Sequence, residues 1–198
     1  MPSDVLLQRM KASAQDFWEG VRPALEGQLQ AKVLPLEQLQ ETEAVKAFDQ
    51  VGIDAFYVDR KGNLRGLASR VNYSRFKDAP SFTFRYGLWN ARNREWDRRR
   101  EYQRKLEAAN NPQQFNFFPE LHVESFSQKK GSGLISWSYF ARTQDIVNFI
   151  QEHLPSKDRQ KVYTFEPSIG EKREVVVVVV DAFAKYYDVQ EVKTTCIA

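Results

Sequence analysis

Glu43, Asp54 and Arg70 are the residues whose types and positions call for chemistry. An apolar stripe at helical spacing follows Pro35, made of Leu36, Leu39, Ala44, Ala47, Phe48 and Val51, and Glu43 lies on it between Leu39 and Ala47. A carboxylate on a buried face costs on the order of several kcal/mol unless it is paired or binds a metal. Asp54 follows Gly52, where the helix gives way to the strand-like IDAFYV. In LRGLASRVNY, residues two apart share a face, so Gly66, Ala68, Arg70 and Asn72 point one way and Leu67, Ser69, Val71 and Tyr73 the other. Arg70 has no charged neighbour on its own face and needs an anion, which Asp54 or Glu43 could supply. Each residue also has a structural reading: an ion-pair glutamate on a helix edge, an aspartate serving a turn, a strand arginine in a salt bridge.

The elements that must position these residues follow from periodicity. Leu6, Met10, Phe17, Val21 and Leu25 predict an N-terminal helix from Ser3, kinked or restarted at Pro23. After the Leu36–Val51 helix come three strand candidates, IDAFYV, LRGLASRVNY and SFTFRY, the first two joined by a tight turn at Lys61, Gly62 and Asn63. A basic helix is expected from about Arg94 to Ala109, ended by Asn110, Asn111 and Pro112. Strands ELHVESF and GLISWSYFA follow, then a helix capped by Thr143 and carrying Ile146, Val147, Phe149, Ile150 and Leu154. KVYTFE and REVVVVVVDAF make a C-terminal strand pair. The valine run lacks alternation, which predicts a strand buried on both faces.

This order predicts an α/β fold with a central mixed sheet flanked by helices. Its parts are an N-terminal helical addition (1–34), a core (35–154) and a C-terminal strand extension packing on the same core (155–198). An inward helix glutamate, Gly-x-Asp opening a strand, a hairpin into a strand with a short polar tripeptide, then a strand, a basic helix and another strand resembles the PD-(D/E)XK restriction-endonuclease-like superfamily over about Leu36 to Leu154. The resemblance implies that Glu43 is the helix glutamate, Asp54 the metal-binding aspartate, and Arg70 the counterpart of the family lysine. It implies Mg²⁺ held by Asp54 and Glu43, with Arg70 as phosphate clamp. Two departures stand in the motif, where Ala68-Ser69-Arg70 replaces an acidic residue, any residue and lysine. Alanine offers no ligand to a hard cation, and a guanidinium cannot take a proton from water. A carboxylate migrated from another element could rescue the metal: Glu43 is nearest in sequence, and Glu120 and Glu124 are further candidates.

Composition fits this frame. The chain has 198 residues, 42% hydrophobic, 28% charged and 13% aromatic, enough for one sizeable core and unlike a disordered chain. Net charge is +3, unevenly placed, with a cationic surplus in RNREWDRRREYQRK. Read as a helix, this segment gives i,i+4 pairs between Glu95 and Arg99 and between Glu101 and Lys105. Arg98, Arg99, Arg100 and Arg104 then form a nucleic-acid-binding face toward phosphates. The single cysteine, Cys196, can form no internal disulfide, and His122 and His153 have no companion at zinc spacing. No apolar run approaches the roughly 20 residues of a membrane helix, so no membrane role and a cytoplasmic location are expected. The expected function is a nuclease-like hydrolase domain acting on or binding DNA or a nucleoprotein complex, with Mg-dependent phosphodiester hydrolysis at an altered site. The alternative is a non-catalytic interaction or DNA-binding subunit that joins protein partners in a larger nucleic-acid-processing or defence complex.

Overall fold

A computed structural model describes residues 4–36, 45, 48, 52–73, 79–98, 100–111, 118–156, 158–167 and 172–194. Helix α1 (Asp4–Asp16) runs through one π-helical turn (Phe17–Val21) into α2 (Arg22–Leu29). Pro23 stands in the first turn of α2, where its missing N–H breaks no intrahelical bond, so the expected restart occurs there. The π-helical turn brings Gly20 against the loop that precedes Trp137, and a Cβ at Gly20 would lie 2.3 Å from the Gly133 carbonyl oxygen. Asp16, fully buried, accepts the Gly131 and Gly133 backbone N–H groups at 2.8 and 2.7 Å and ties the same loop to the helix.

The central sheet is mixed, as the sequence predicts, and has six strands. Its order is β1 (Val33–Pro35), β2 (Ala55–Val58), β3 (Leu64–Asn72), β6 (Pro119–Phe126), β7 (Trp137–Arg142) and β10 (Gln190–Glu191), with β3 and β6 parallel and the other neighbours antiparallel. The β2–β3 hairpin closes as expected: Gly62 takes φ 83°, and Asp59 Oδ1 accepts the N–H groups of Lys61 and Asn63. A second, antiparallel sheet has the order β5 (Glu95–Asp97), β4 (Ser81–Asn90), β9 (Arg173–Val179) and β8 (Val162–Phe165). The third strand of the sequence reading, SFTFRY, therefore leaves the central sheet and pairs with the valine strand. Val175 to Val178 are buried, and β9 is an interior strand; Val180 begins the short α5 (Val180–Phe183).

Two elements differ from expectation. The basic segment divides into β5, which returns along β4 with Trp89 opposite Trp96, and α3 (Glu101–Asn110). Glu95-Trp96-Asp97 alternates polar and apolar, so a period of two fits it as well as a helical one, and the cross-strand contact of the tryptophan pair favours the strand. The expected Glu95–Arg99 helix pair thus has no helix to stand on; Glu95 accepts from the Asn93 amide instead. Helix α4 (Thr143–His153) follows β7 directly, with Arg142 at the N-cap position. Thr143 is buried within the first turn, and its Oγ1 meets no hydrogen-bond partner among the described residues, so it does not cap the helix.

The central sheet is packed on both faces. Leu67, Val71, Val123 and Phe140 bury one face under α1, the π-helical turn and α2 through Phe17, Val21 and Leu25. On the other side Ala141 joins Ile146, Val147 and Ile150 of α4, which pack against Phe82, Phe84, Val176 and Val178 of the second sheet. No helix among the described residues is long and apolar enough to cross a membrane.

Candidate functional site

Asp54 stands at the mouth of β2, and the hairpin register places it beside β3. Its backbone N–H donates to the Leu67 carbonyl at 2.9 Å, and its Oδ2 accepts the Ser69 N–H at 2.6 Å. Asp54 is solvent-exposed over part of its surface, yet the protein packed around the rest desolvates it. That desolvation pushes its pKa up to about 6, against the lowering effect of the Ser69 bond and of Lys105.

Arg70 lies one residue beyond Ser69 and turns toward the second sheet. Its Nη1 donates to the Thr83 carbonyl at 2.7 Å and to Thr83 Oγ1 at 3.0 Å, and its Nη2 to Glu101 Oε2 at 2.5 Å. Among the described residues the anion paired with Arg70 is Glu101 of α3, in place of Asp54. Glu101 Oε2 also accepts the Arg85 N–H, and Oε1 accepts Lys105 Nζ at 3.1 Å. Lys105 is buried, with Nζ 4.8 Å from the Phe84 ring centroid, and its Cε would lie 3.2 Å from a Cβ at Gly52. Burial works against the Glu101 charge, but Arg70 and Lys105 override it and hold the carboxyl well below its usual range. Burial likewise works against Arg70, and Glu101 and Glu124 leave its pKa raised.

A second carboxylate backs this group. Glu124 of β6 sits opposite Arg70 in the parallel register and is fully buried. Its Oε1 accepts Asn72 Nδ2 and Thr83 Oγ1, both at 2.5 Å; its Oε2 accepts the Thr83 N–H at 3.1 Å and meets His122 Nε2 at 2.8 Å. Burial pulls the His122 pKa down despite that carboxylate. A neutral imidazole donating from Nε2 satisfies Glu124 and leaves Nδ1 without a partner among the described residues. The migrated-carboxylate candidates Glu120 and Glu124 thus part ways, since Glu120 pairs with Arg65 at the surface (3.1 Å) while Glu124 enters the buried network.

Asp54 reaches β3 one residue from Arg70, through the Ser69 N–H. Glu43 and Arg99 lie outside the described residues. The four-arginine face is not assembled as one helix surface. Arg98 precedes α3 and pairs with Glu174, Arg100 stands at the α3 N-cap position and pairs with Asp97 at 2.5 Å, and Arg104 is exposed on α3. Glu101 and Lys105 form the i,i+4 pair expected of them, but in the interior, where they face Asp54 and Arg70.

The donor set can be tested against magnesium. Both Glu101 oxygens already receive cations or an N–H, so a metal there would have to displace Lys105 or Arg70. Among the described residues no three carboxylate, histidine or cysteine side chains gather as ligands. These residues do not complete a hard-cation site on their own. No protein-family model, curated protein or solved structure matches the chain.

Proposed function

We propose that this chain is a nuclease-like α/β domain that engages nucleic-acid phosphates where Asp54 adjoins Arg70 and Lys105. The observation that carries the reading is the Asp54 carboxylate, partly exposed and held by the Ser69 N–H one residue from Arg70, with burial of its surroundings pushing its pKa up. A phosphodiester oxygen can approach Arg70, whose guanidinium is partly exposed beside Glu101 and binds phosphate, while the buried Lys105 adds positive charge behind it. Near neutral pH Asp54 is mostly ionised and basic enough to accept a proton from an attacking water. By the resemblance to the PD-(D/E)XK enzymes, Asp54 and Glu43 would hold Mg²⁺.

Plasmid DNA incubated with wild type and with Asp54→Asn, with and without Mg²⁺, tests the catalytic reading. Wild type is expected to nick the plasmid and Asp54→Asn to lose that activity while melting no lower than wild type. Wild type that leaves plasmid intact with every divalent ion sinks it. A non-catalytic binding subunit, of DNA or of a nucleoprotein partner, is favoured by a different observation: Glu101 neutralises Arg70 and Lys105 internally, as in a structural ion-pair core. DNA retardation without cleavage supports that second reading.

A further inference from the structure

The hairpin joining β4 and β5 alternates rings and cations. Trp89 and Trp96 face each other across the strand pair, edge to face, with centroids 5.6 Å apart. Lys172 Nζ lies 4.4 Å from the Trp89 centroid and 5.6 Å from that of Trp96. Arg98 Cζ lies 5.3 Å from Trp96 and 4.7 Å from Tyr86. Rings that hold cations in place reduce the side-chain entropy lost when an anion binds. The turn is equally fixed: Asn90 Oδ1 accepts the N–H groups of Arg92 and Asn93 at 3.0 and 3.3 Å, and Arg94 adopts φ 55°. Arg92 and Arg94 are exposed at its tip.

The carboxylates nearby are engaged within the protein. Glu95 accepts from Asn93, Asp97 pairs with Arg100, and Glu174 pairs with Arg98. Among the described residues no carboxylate forms an ion pair with Arg92, Arg94 or Lys172. The outward charge of the hairpin is therefore positive, and the complementary ligand is a polyanion. Because Lys172 already covers the tryptophan pair, phosphate contact fits this surface better than base stacking does.

Strand β4 connects the hairpin to the buried cations. Arg85, whose N–H holds Glu101, lies five residues before Asn90, a span of roughly 17 Å at about 3.3 Å per residue. One nucleic-acid strand covers that distance in about five nucleotides. We propose that the β4–β5 hairpin is a second nucleic-acid contact, in which Arg92, Arg94 and Lys172 grip backbone phosphates beyond the Asp54 site. This rests on the nucleic-acid reading above and adds to it a separate surface.

The test measures the affinity of a fluorescently labelled random-sequence duplex by anisotropy across a salt series. Wild type is compared with the triple variant Arg92→Gln, Arg94→Gln, Lys172→Gln, and with Arg92→Lys, Arg94→Lys, which keeps the charge. Near-ultraviolet circular dichroism confirms that the tryptophan pair remains packed. The triple variant is expected to bind roughly tenfold or more weakly at low salt, with a log–log salt slope shallower by about 2.7, while the lysine variant stays near wild type. Equal affinity and slope for wild type and the triple variant overturn the hairpin proposal alone. Wild type that fails to bind the duplex at low salt overturns both this proposal and the function on which it rests.

Discussion

Arg70 Nη2 and Glu101 Oε2 meet at 2.5 Å although 31 residues of chain separate them. The contact fastens the central sheet to α3, because Arg70 stands in β3 while Glu101 opens the helix. It also joins the two sheets, since the same guanidinium binds Thr83 of β4 through Nη1. Arg70→Ala would leave Glu101 with one cation and strand the Thr83 carbonyl. Loss of one partner from a largely buried pair costs about 3 kcal/mol. Urea unfolding should show this loss, and Arg70→Ala with Glu101→Ala should lose less than the sum of the two single variants. Strict additivity would mean that the contact contributes nothing.

Asp54 should make stability and activity depend on pH in opposite directions. Its folded pKa of about 6 exceeds the ordinary 3.8, so between those values the native state binds the proton more tightly than the unfolded chain. Its contribution to stability therefore falls as pH rises through that window. Glu101, with its pKa lowered, acts in the opposite sense: its contribution is present above its unfolded value of 4.5 and is lost as acid protonates it. Asp54→Asn removes the first effect and keeps the second. The variant should melt above wild type at pH 7 and converge with it below pH 4, and any activity that needs the carboxylate should rise with a midpoint near pH 6. A constant difference in melting temperature over that range contradicts a raised pKa.

The legible parts of this fold were those set by local pattern. The apolar periodicity of α4, the Asp59–Asn63 turn and the unalternating valines each specify an element within a few residues of chain. The partner of Arg70 was not legible, because strand alternation says that a charge faces inward and is silent on which distant element meets it. Glu101 and Lys105 illustrate the same gap. Their spacing shows a helix pair, but only the packing of α3 on β4 decides that the pair is interior. The β4–β5 hairpin was missed for a different reason: charges every few residues mimic a solvated helix, and the Trp89–Trp96 pairing that selects the strand is non-local.

Gly52 offers a sharp probe of the site's walls. It holds φ 77°, a conformation costly for residues with a Cβ, and a Cβ there would lie 3.2 Å from Lys105 Cε. Gly52→Ala should cost about 1 kcal/mol from the backbone alone. It should also push Lys105 away from its present position, so activity or phosphate binding should fall further than stability does. Gly62→Ala is the control, since Gly62 has a similar φ of 83° and a Cβ there would meet no atom within 4 Å. It should cost similar stability in thermal melts and leave function unchanged. Equal functional losses in the two variants would remove Lys105 from the site.

Glu124 should tolerate amide replacement far better than truncation. Each of its oxygens has two polar neighbours, and one of the donors, the Thr83 backbone N–H, cannot reverse its polarity. In Glu124→Gln the amide oxygen must stay on the Thr83 N–H and His122 side, which points the amide nitrogen at Asn72 and Thr83 Oγ1. The Asn72 amide can turn over to accept, and the hydroxyl can rotate, so the network survives with one charge-assisted bond set weakened, at about 2 kcal/mol. Glu124→Ala leaves the Thr83 N–H and His122 Nε2 without an acceptor and opens a cavity, so it should unfold at distinctly lower urea than Glu124→Gln. The same replacement removes a negative charge that helps hold Arg70, so the alanine variant should also loosen the Arg70–Glu101 contact, read as faster amide exchange at the α3 N-terminus. An alanine variant as stable as wild type would show that Glu124 is dispensable to the joint between the sheets.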